Sequence, residues 1–256
     1  MIVDQTELKD SLGHLFNTRS SHLTSKSSIK KFHSVWKLVD AFDFEHELRV
    51  FLCREGDCRF IPYLFASIFF RCHTEESQNY INNLFNQNRN LQGRDKKDFA
   101  FDLIIGWIFE LIIFKNFGLE KSGCDYDYML EKGKSINSGA DFTLGNSLIE
   151  LAVDNLGLSI ERDVFHLRYG KWDRILEEEM FLFILCPNHL KYYLYHAYDY
   201  ADKLNIYPVD EIKAFSKYRK VGGTEFKGWS NLPSIDLSKQ NLQKSFAYIQ
   251  GQKTED

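Results

Sequence analysis

Gly139-Ala140-Asp141-Phe142-Thr143-Leu144-Gly145-Asn146-Ser147-Leu148-Ile149-Glu150-Leu151-Ala152-Val153-Asp154 is the stretch on which the fold turns. Gly145-Asn146 reads as a two-residue hairpin turn, because both residues tolerate positive φ. A loop that short fixes the register. Leu144 faces Ser147, Thr143 faces Leu148, Phe142 faces Ile149, and Asp141 faces Glu150. Side chains directly opposed on neighbouring strands have Cβ atoms roughly 4.5–5.5 Å apart. Two carboxylates so placed repel each other. A hard divalent cation would offset that repulsion, since Mg²⁺ takes one or two carboxylates together with waters and phosphate oxygens. Strand alternation puts Phe142, Ile149, Leu151 and Val153 on a core face. Asp141, Glu150, Ala152 and Asp154 lie on the other, with Thr143 and Leu148, and this second face is expected to meet a substrate. A surface hairpin with two solvated acids is the competing reading.

Working outward, Asp98 to Phe117 reads as a long, nearly all-apolar helix, capped by Asp95 or Asp98 and ended by Gly118. Leu158 to Glu178 reads as one helix. Met180 to Cys186 and Lys191 to Tyr198 read as strands, and Asp210 to Lys220 and Asp236 to Gln250 as helices. Ser34 to Phe44 and Pro62 to Cys72 carry helical patterning. A polar stretch from Asn86 to Lys97 holds Gly93 and reads as a linker. The expected organisation is a helical N-terminal subdomain over 1–92 and a core over 93–256. Helices interleaved with strands predict an α/β core with a mixed sheet.

Composition bounds the function. The formal net charge of −4 argues against a protein that coats nucleic acid by bulk charge. A DNA enzyme needs only a local basic surface. The apolar run from Leu103 to Phe114 is broken by Gly106 and Glu110 and is too short to span a membrane. Met1 to Asp10 lacks the apolar stretch of a signal peptide. The odd count of five cysteines favours a reducing cytoplasm over a disulfide framework. Cys53, Cys58, Cys72 and His73 form at best a poor zinc set, because the last two are adjacent and adjacent ligands converge badly.

An Asp followed by Glu-x-Lys on a β-hairpin is the motif of the PD-(D/E)xK nuclease superfamily, which this hairpin resembles. Asp141 matches the first acid and Glu150 the second. Ala140 stands where Pro is frequent, and Ala152 stands where Lys is expected. The family often adds a Glu on the preceding helix, and Glu110 fits that place. A carboxylate in an apolar helix is costly unless paired or metal-linked; a salt-bridged surface Glu is the other reading. The resemblance covers residues 98–186. It implies a restriction-endonuclease-like mixed β-sheet core flanked by helices, with the N-terminal part serving recognition or dimerisation. It also implies Mg²⁺ on Asp141 and Glu150 and hydrolysis of double-stranded DNA by a type II restriction enzyme. A homodimer suits a two-fold DNA site. A structure-specific repair or recombination nuclease and a non-catalytic DNA-binding pseudonuclease are the alternatives.

In that family the lysine orients the attacking water and stabilises phosphate charge, and alanine does neither. Three explanations compete: another residue type serves at 152, a cation comes from a neighbouring element (Arg162, Arg168 or Lys171), or the chain is an inactivated variant. The apolar methyl on an acidic face favours the last. For DNA contacts, two basic regions stand out. One runs from Arg19 to Lys37 with Lys26, Lys30 and Lys31. The other runs from Lys213 to Lys227 with Lys217, Arg219, Lys220 and a Gly-Gly pair.

Overall fold

The structure is a computed structural model and describes residues 26–44, 106, 109–110, 112–114, 116–122, 139–168, 170–210 and 222–252. The chain divides into two compact units, 1–109 with 125–136, and 110–124 with 137–256. In the first, helix α1 runs Lys26–Ala41. Val35, Trp36, Leu38, Val39 and Phe42 are buried, and Lys37 and Asp40 are exposed, the stripe expected of a helix with one covered face. Pro62 to Cys72, the linker at 86–97 and the four Cys and His of the weak zinc set lie outside the described residues.

Among its described residues the second unit forms two sheets. The larger is built from β1 (Glu120–Lys121), β2 (Phe142–Leu144), β3 (Ser147–Val153), β5 (Phe181–Cys186), β6 (Lys191–His196) and β9 (Ile235–Asp236), hydrogen-bonded in that order. The smaller contains β4 (Val164–Arg168), β8 (Gly223–Lys227) and β7 (Asn205–Val209). The described residues of the unit include the helices α2 (Leu158–Glu161), α3 (Lys171–Glu177), α4 (Ala197–Lys203) and α5 (Lys239–Gln252). Ahead of β1, helical residues occur between 106 and 117, where Phe109, Ile112 and Ile113 are buried. Gly118, at φ 65°, ends that segment in the left-handed conformation the sequence assigns it. The architecture is mixed α/β, a multi-stranded sheet flanked by helices. Among the described residues no helix is long and apolar enough to cross a membrane.

The hairpin register is the predicted one. Phe142 pairs with Ile149, Thr143 with Leu148 and Leu144 with Ser147, around Gly145 at φ 59°. The core face is also the expected one, with Phe142, Ile149 and Leu151 buried, but the second face is covered as well. β3 pairs in parallel with β5, Glu150 beside Leu182 and Ala152 beside Ile184. Parallel neighbours need a long crossover, which covers a face of the sheet. Here the crossover contains α2, β4 and α3. Glu150 and Asp154 are therefore buried, at 3% and 4% exposure, and Ala152 joins a hydrophobic cluster. That cluster includes Leu182, Ile184 and Tyr193 of the large sheet, Phe165 and Phe226 of the small one, and Trp172 of α3. On the opposite face, α5 packs through Phe246, whose ring lies 6.2 Å from Phe183, and Ser245, whose hydroxyl meets that of Tyr192 at 2.8 Å. The second face of the hairpin is thus an interior surface.

The expected single helix from Leu158 to Glu178 is corrected to α2, β4 and α3. Val164-Phe165-His166-Leu167-Arg168 alternates, with Phe165 and Leu167 buried. Two breaks isolate it: Asp163 at φ 56° and Gly170 at φ 73°. The stretch between the helices expected at Asp210 to Lys220 and Asp236 to Gln250 holds β8, and α5 begins at Lys239 rather than Asp236. Ser238 sets that start, its Oγ accepting from the Asn241 N–H at 3.1 Å.

Asp154 is a helix cap. Its Oδ1 accepts from Leu158 N–H at 3.0 Å, and Oδ2 from Ser159 N–H at 2.8 Å and Ser159 Oγ–H at 2.7 Å. These bonds satisfy amides that open α2. Between cap and helix stands Gly157 at φ 68°, with the His189 ring against its α-carbon and a Cβ there overlapping that ring. Gly157→Ala is expected to cost about 2 kcal/mol or more, from the left-handed backbone and the displaced ring together. Urea unfolding of the purified variant checks it, and an unchanged midpoint would contradict the close packing.

Candidate functional site

Asp141 and Glu150 come together because the Gly145-Asn146 turn leaves the hairpin no other register. The next step beyond Phe142–Ile149 sets Asp141 against Glu150, although β2 itself begins at Phe142. Half-buried Asp141 reaches across to β3, where its Oδ2 accepts the Leu151 N–H at 2.7 Å. Its carbonyl accepts from Ser122 N–H at 3.3 Å, which ties it to the end of β1.

Glu150 is held by α3. Lys171 Nζ lies 2.5 Å from Oε1 and Arg174 Nη2 lies 2.9 Å from Oε2. Lys171 and Arg174 are three residues apart on α3, so both reach the same side of the helix. Gly170, in the left-handed region, turns the chain sharply out of β4 and sets the first turn of α3 over the hairpin. The carboxylate repulsion inferred from the sequence thus meets an offset built into the chain: two cations and one backbone amide. An ion pair shielded this far from water interacts more strongly than one on the surface, and a lone carboxylate there would be heavily penalised.

Of the three cations proposed to replace the missing lysine, only Lys171 is brought to Glu150 in these contacts. Arg162 follows α2 and is exposed, and Arg168 ends β4 and is exposed. Ala152, two residues from Glu150 on the same face, is enclosed in the hydrophobic cluster. Glu110 sits half-buried on the helical segment before β1. Among the described residues no three His, Cys, Asp or Glu side chains gather as metal ligands, so Glu110 does not complete a three-acid centre with Asp141 and Glu150. The side chains of Lys26, Lys30 and Lys31 on α1 lie outside the described residues, as do Lys217, Arg219 and Lys220. The described ends of that last segment are informative. Val209 pairs with Gly223, and Gly223 pairs with Arg168, three residues before Lys171.

Arg174 was not singled out in the sequence, although its three-residue offset from Lys171 is the available signal. Cys186 is a packing residue rather than a nucleophile: burial pushes its thiol up to about 12, and its Sγ lies 3.4 Å from Ser159 Oγ. On the small sheet, Glu225 bridges His166 at 2.9 Å and Lys227 at 2.8 Å, and the Lys227 hydrogen bond chiefly holds its carboxyl below the usual range. No protein-family model matches the sequence, and no curated protein or solved structure matches it.

Proposed function

We propose that the chain is a Mg²⁺-dependent, sequence-specific endonuclease of double-stranded DNA, with Asp141 and Glu150 as metal-holding acids and Lys171 as its lysine. The contact between Lys171 Nζ and Glu150 Oε1 carries this reading. It supplies from α3 the ammonium that the resemblance expects at position 152, where Ala152 is enclosed in the core. Of the three explanations for the missing lysine, this favours relocation over an inactivated variant.

The donor set fits a hard cation. Both candidates are carboxylates, and a carboxylate offers about four lone-pair sites, so oxygens already accepting one bond retain capacity. Asp141 is half-buried, so part of its side chain remains in contact with solvent. Mg²⁺ bound there would lower the pKa of a coordinated water and neutralise charge developing on the phosphate. The chain's own groups do the rest. Asp141 is oriented by the Leu151 amide and Glu150 by α3. Lys171 has three N–H donors, enough to hold Glu150 while orienting a water or a phosphate oxygen. The hydrophobic cluster beneath Ala152 keeps bulk water from the inner side of the site. Arg168 and the stems of the basic segment around Lys217, Arg219 and Lys220 adjoin the entry to α3, which is where a DNA backbone would be gripped. A homodimer would place two such centres on the two strands.

Plasmid cleavage with Mg²⁺ tests this directly. The unaltered chain is expected to cut, and Lys171→Ala to lose about a hundredfold or more in rate. Ala152→Lys is expected to gain no activity and to destabilise the core by about 3 kcal/mol, since it drives an ammonium among Ile184 and Trp172. The converse, an inert parent revived by Ala152→Lys, would mean that the lysine belongs at 152 and the chain is an inactivated form. If neither cuts any duplex or branched DNA, the nuclease reading fails. Both Glu150 oxygens being occupied by cations favours one other reading, a DNA-binding pseudonuclease, for which DNA binding would be indifferent to Mg²⁺.

A further inference from the structure

We infer that the polar face of the small sheet is a docking surface for the phosphate backbone of double-stranded DNA, with Lys227 and Arg168 gripping one strand and the Tyr207 hydroxyl between them. Duplex DNA, among polyanions, follows from the proposed function. The surface itself follows from register and exposure. β8 is the central strand, and residues directly opposite across a ladder share a face. Lys227 stands between Val164 and Asn205, Glu225 between His166 and Tyr207, and Gly223 between Arg168 and Val209. Between these rows, Phe165 and Phe226 turn the other way into the hydrophobic cluster, and Ile206 packs against it. One face of the sheet is therefore committed to the core, and the other is polar.

Depth sorts the polar face by charge. Its carboxylate lies low: Glu225 is 21% exposed, and both of its oxygens are taken, Oε2 by His166 at 2.9 Å and Oε1 by Lys227 at 2.8 Å. His166 lies deeper still, at 11%. The groups that stand out into solvent are Lys227 at 51%, Tyr207 at 48%, and exposed Arg168 and Asn205. None of these is an acid. Exposed Asp163, just before β4, has its Oδ2 accepting the Gly228 N–H at 2.9 Å. An outer layer of N–H and O–H donors above an occupied acid matches a partner rich in acceptor oxygens, which a phosphate backbone is. Lys227 Nζ lies 5.8 Å from the centre of the Tyr207 ring, which keeps the ammonium over the sheet. An exposed ion pair is weak and an ammonium has three donors, so Lys227 can hold Glu225 and a phosphate together. Spacing agrees. Lys227 pairs with Val164 and so lies four residues along β4 from Arg168, about 13 Å away. One strand of duplex DNA advances about 3.4 Å per phosphate, so the two cations span about four nucleotides. Arg168 is three residues before Lys171, which sets the gripped strand beside the entry to α3.

The test is fluorescence anisotropy of a dye-labelled DNA duplex with the full chain in EDTA, repeated over a series of salt concentrations. Binding is then read without cleavage. Each phosphate held contributes about −0.9 to the slope of log affinity against log salt. The parent is expected to reach at least about −1.8, Lys227→Gln and Arg168→Gln to lose about 0.9 each, and Lys227→Arg to keep the parent's slope. Tyr207→Phe, which removes only the hydroxyl, is expected to bind about fivefold more weakly at unchanged slope. A parent that binds no duplex at low salt, or one with a shallower slope, overturns the proposal. So does a parent slope retained by Lys227→Gln and Arg168→Gln alike, and that outcome leaves the nuclease reading standing. Slopes lost as expected in a chain that never cuts plasmid with Mg²⁺ keep the surface and remove the nuclease reading. Should Lys227→Gln fail to fold through its loss to Glu225, Arg168→Gln at the other end of the ladder decides alone, and an unchanged slope there overturns the proposal.

Discussion

Glu150→Ala is expected to abolish the proposed cleavage and to lower stability by about 3 kcal/mol. Removing one member of a buried ionic group leaves its partners without compensation, and here there are two. Lys171 and Arg174 are 30% and 24% exposed, so both rehydrate in part, which keeps the cost at the lower end for such a loss. Glu150→Gln should retain more stability, since the amide oxygen still accepts one of the two bonds, while losing activity as fully. The pair of variants separates the two roles. Urea unfolding reads the fold and Mg²⁺-dependent plasmid cleavage reads the chemistry. A Glu150→Gln chain that cuts at the parent's rate would show that the carboxylate holds α3 and nothing more. A Glu150–Lys171 double-mutant cycle should give a coupling of about 1 kcal/mol or more, because the two are in direct contact.

The second large effect lies in the core. Trp229→Ala is expected to cost about 3–5 kcal/mol, the range for deleting a buried aromatic, and to lower Tm by roughly 10 °C. Trp229 is 3% exposed on the short 3₁₀ turn Trp229–Asn231. Its ring lies 4.7 Å from Tyr193 of the large sheet and 6.0 Å from Phe165 of the small one, and its Nε1–H donates to the Phe226 carbonyl at 3.2 Å. It therefore joins the two sheets. Phe226 in turn meets Trp172 of α3 edge-on at 5.0 Å, so the loss should loosen the helix that carries Lys171 and Arg174. The proposed cleavage should fall at temperatures where the fold still holds. Trp229→Phe keeps a ring and loses the N–H bond, and should cost markedly less. Thermal melts followed by circular dichroism check both variants, and equal costs would mean that the ring does not bridge the sheets.

The sequence was most legible where structure is local. Gly145-Asn146 fixed a register that needs no information beyond a few residues, and Gly118 marked a helix end. The second face of β3 was misread because its parallel neighbour, β5, lies beyond α3, and alternation along one strand cannot reveal what covers it. Glu150 and Asp154 look solvent-facing in the sequence, yet each is buried with partners supplied from further along the chain. β4 was absorbed into a helix because its Val164 and Leu167 stand three residues apart and so also suit a helical stripe, while the breaks at Asp163 and Gly170 leave only a weak trace. For the site itself, two carboxylates and Lys171 could be named from the sequence. Arg174 was not singled out, because its three-residue offset from Lys171 gains meaning only once Gly170 has turned the chain into α3.

The parallel pairing of β3 with β5 also bears on the order of assembly. The hairpin closes over a two-residue turn and can form early, whereas β5 can join β3 only after the intervening crossover has been enclosed. Until then Asp141 and Glu150 stand opposed with neither cation in place. A nascent hairpin is thus penalised by its own acids and becomes favourable as α3 docks. Core formation and completion of the charge cluster are in this way a single cooperative event, and a partly folded chain would present two acids without the lysine that the proposed chemistry requires.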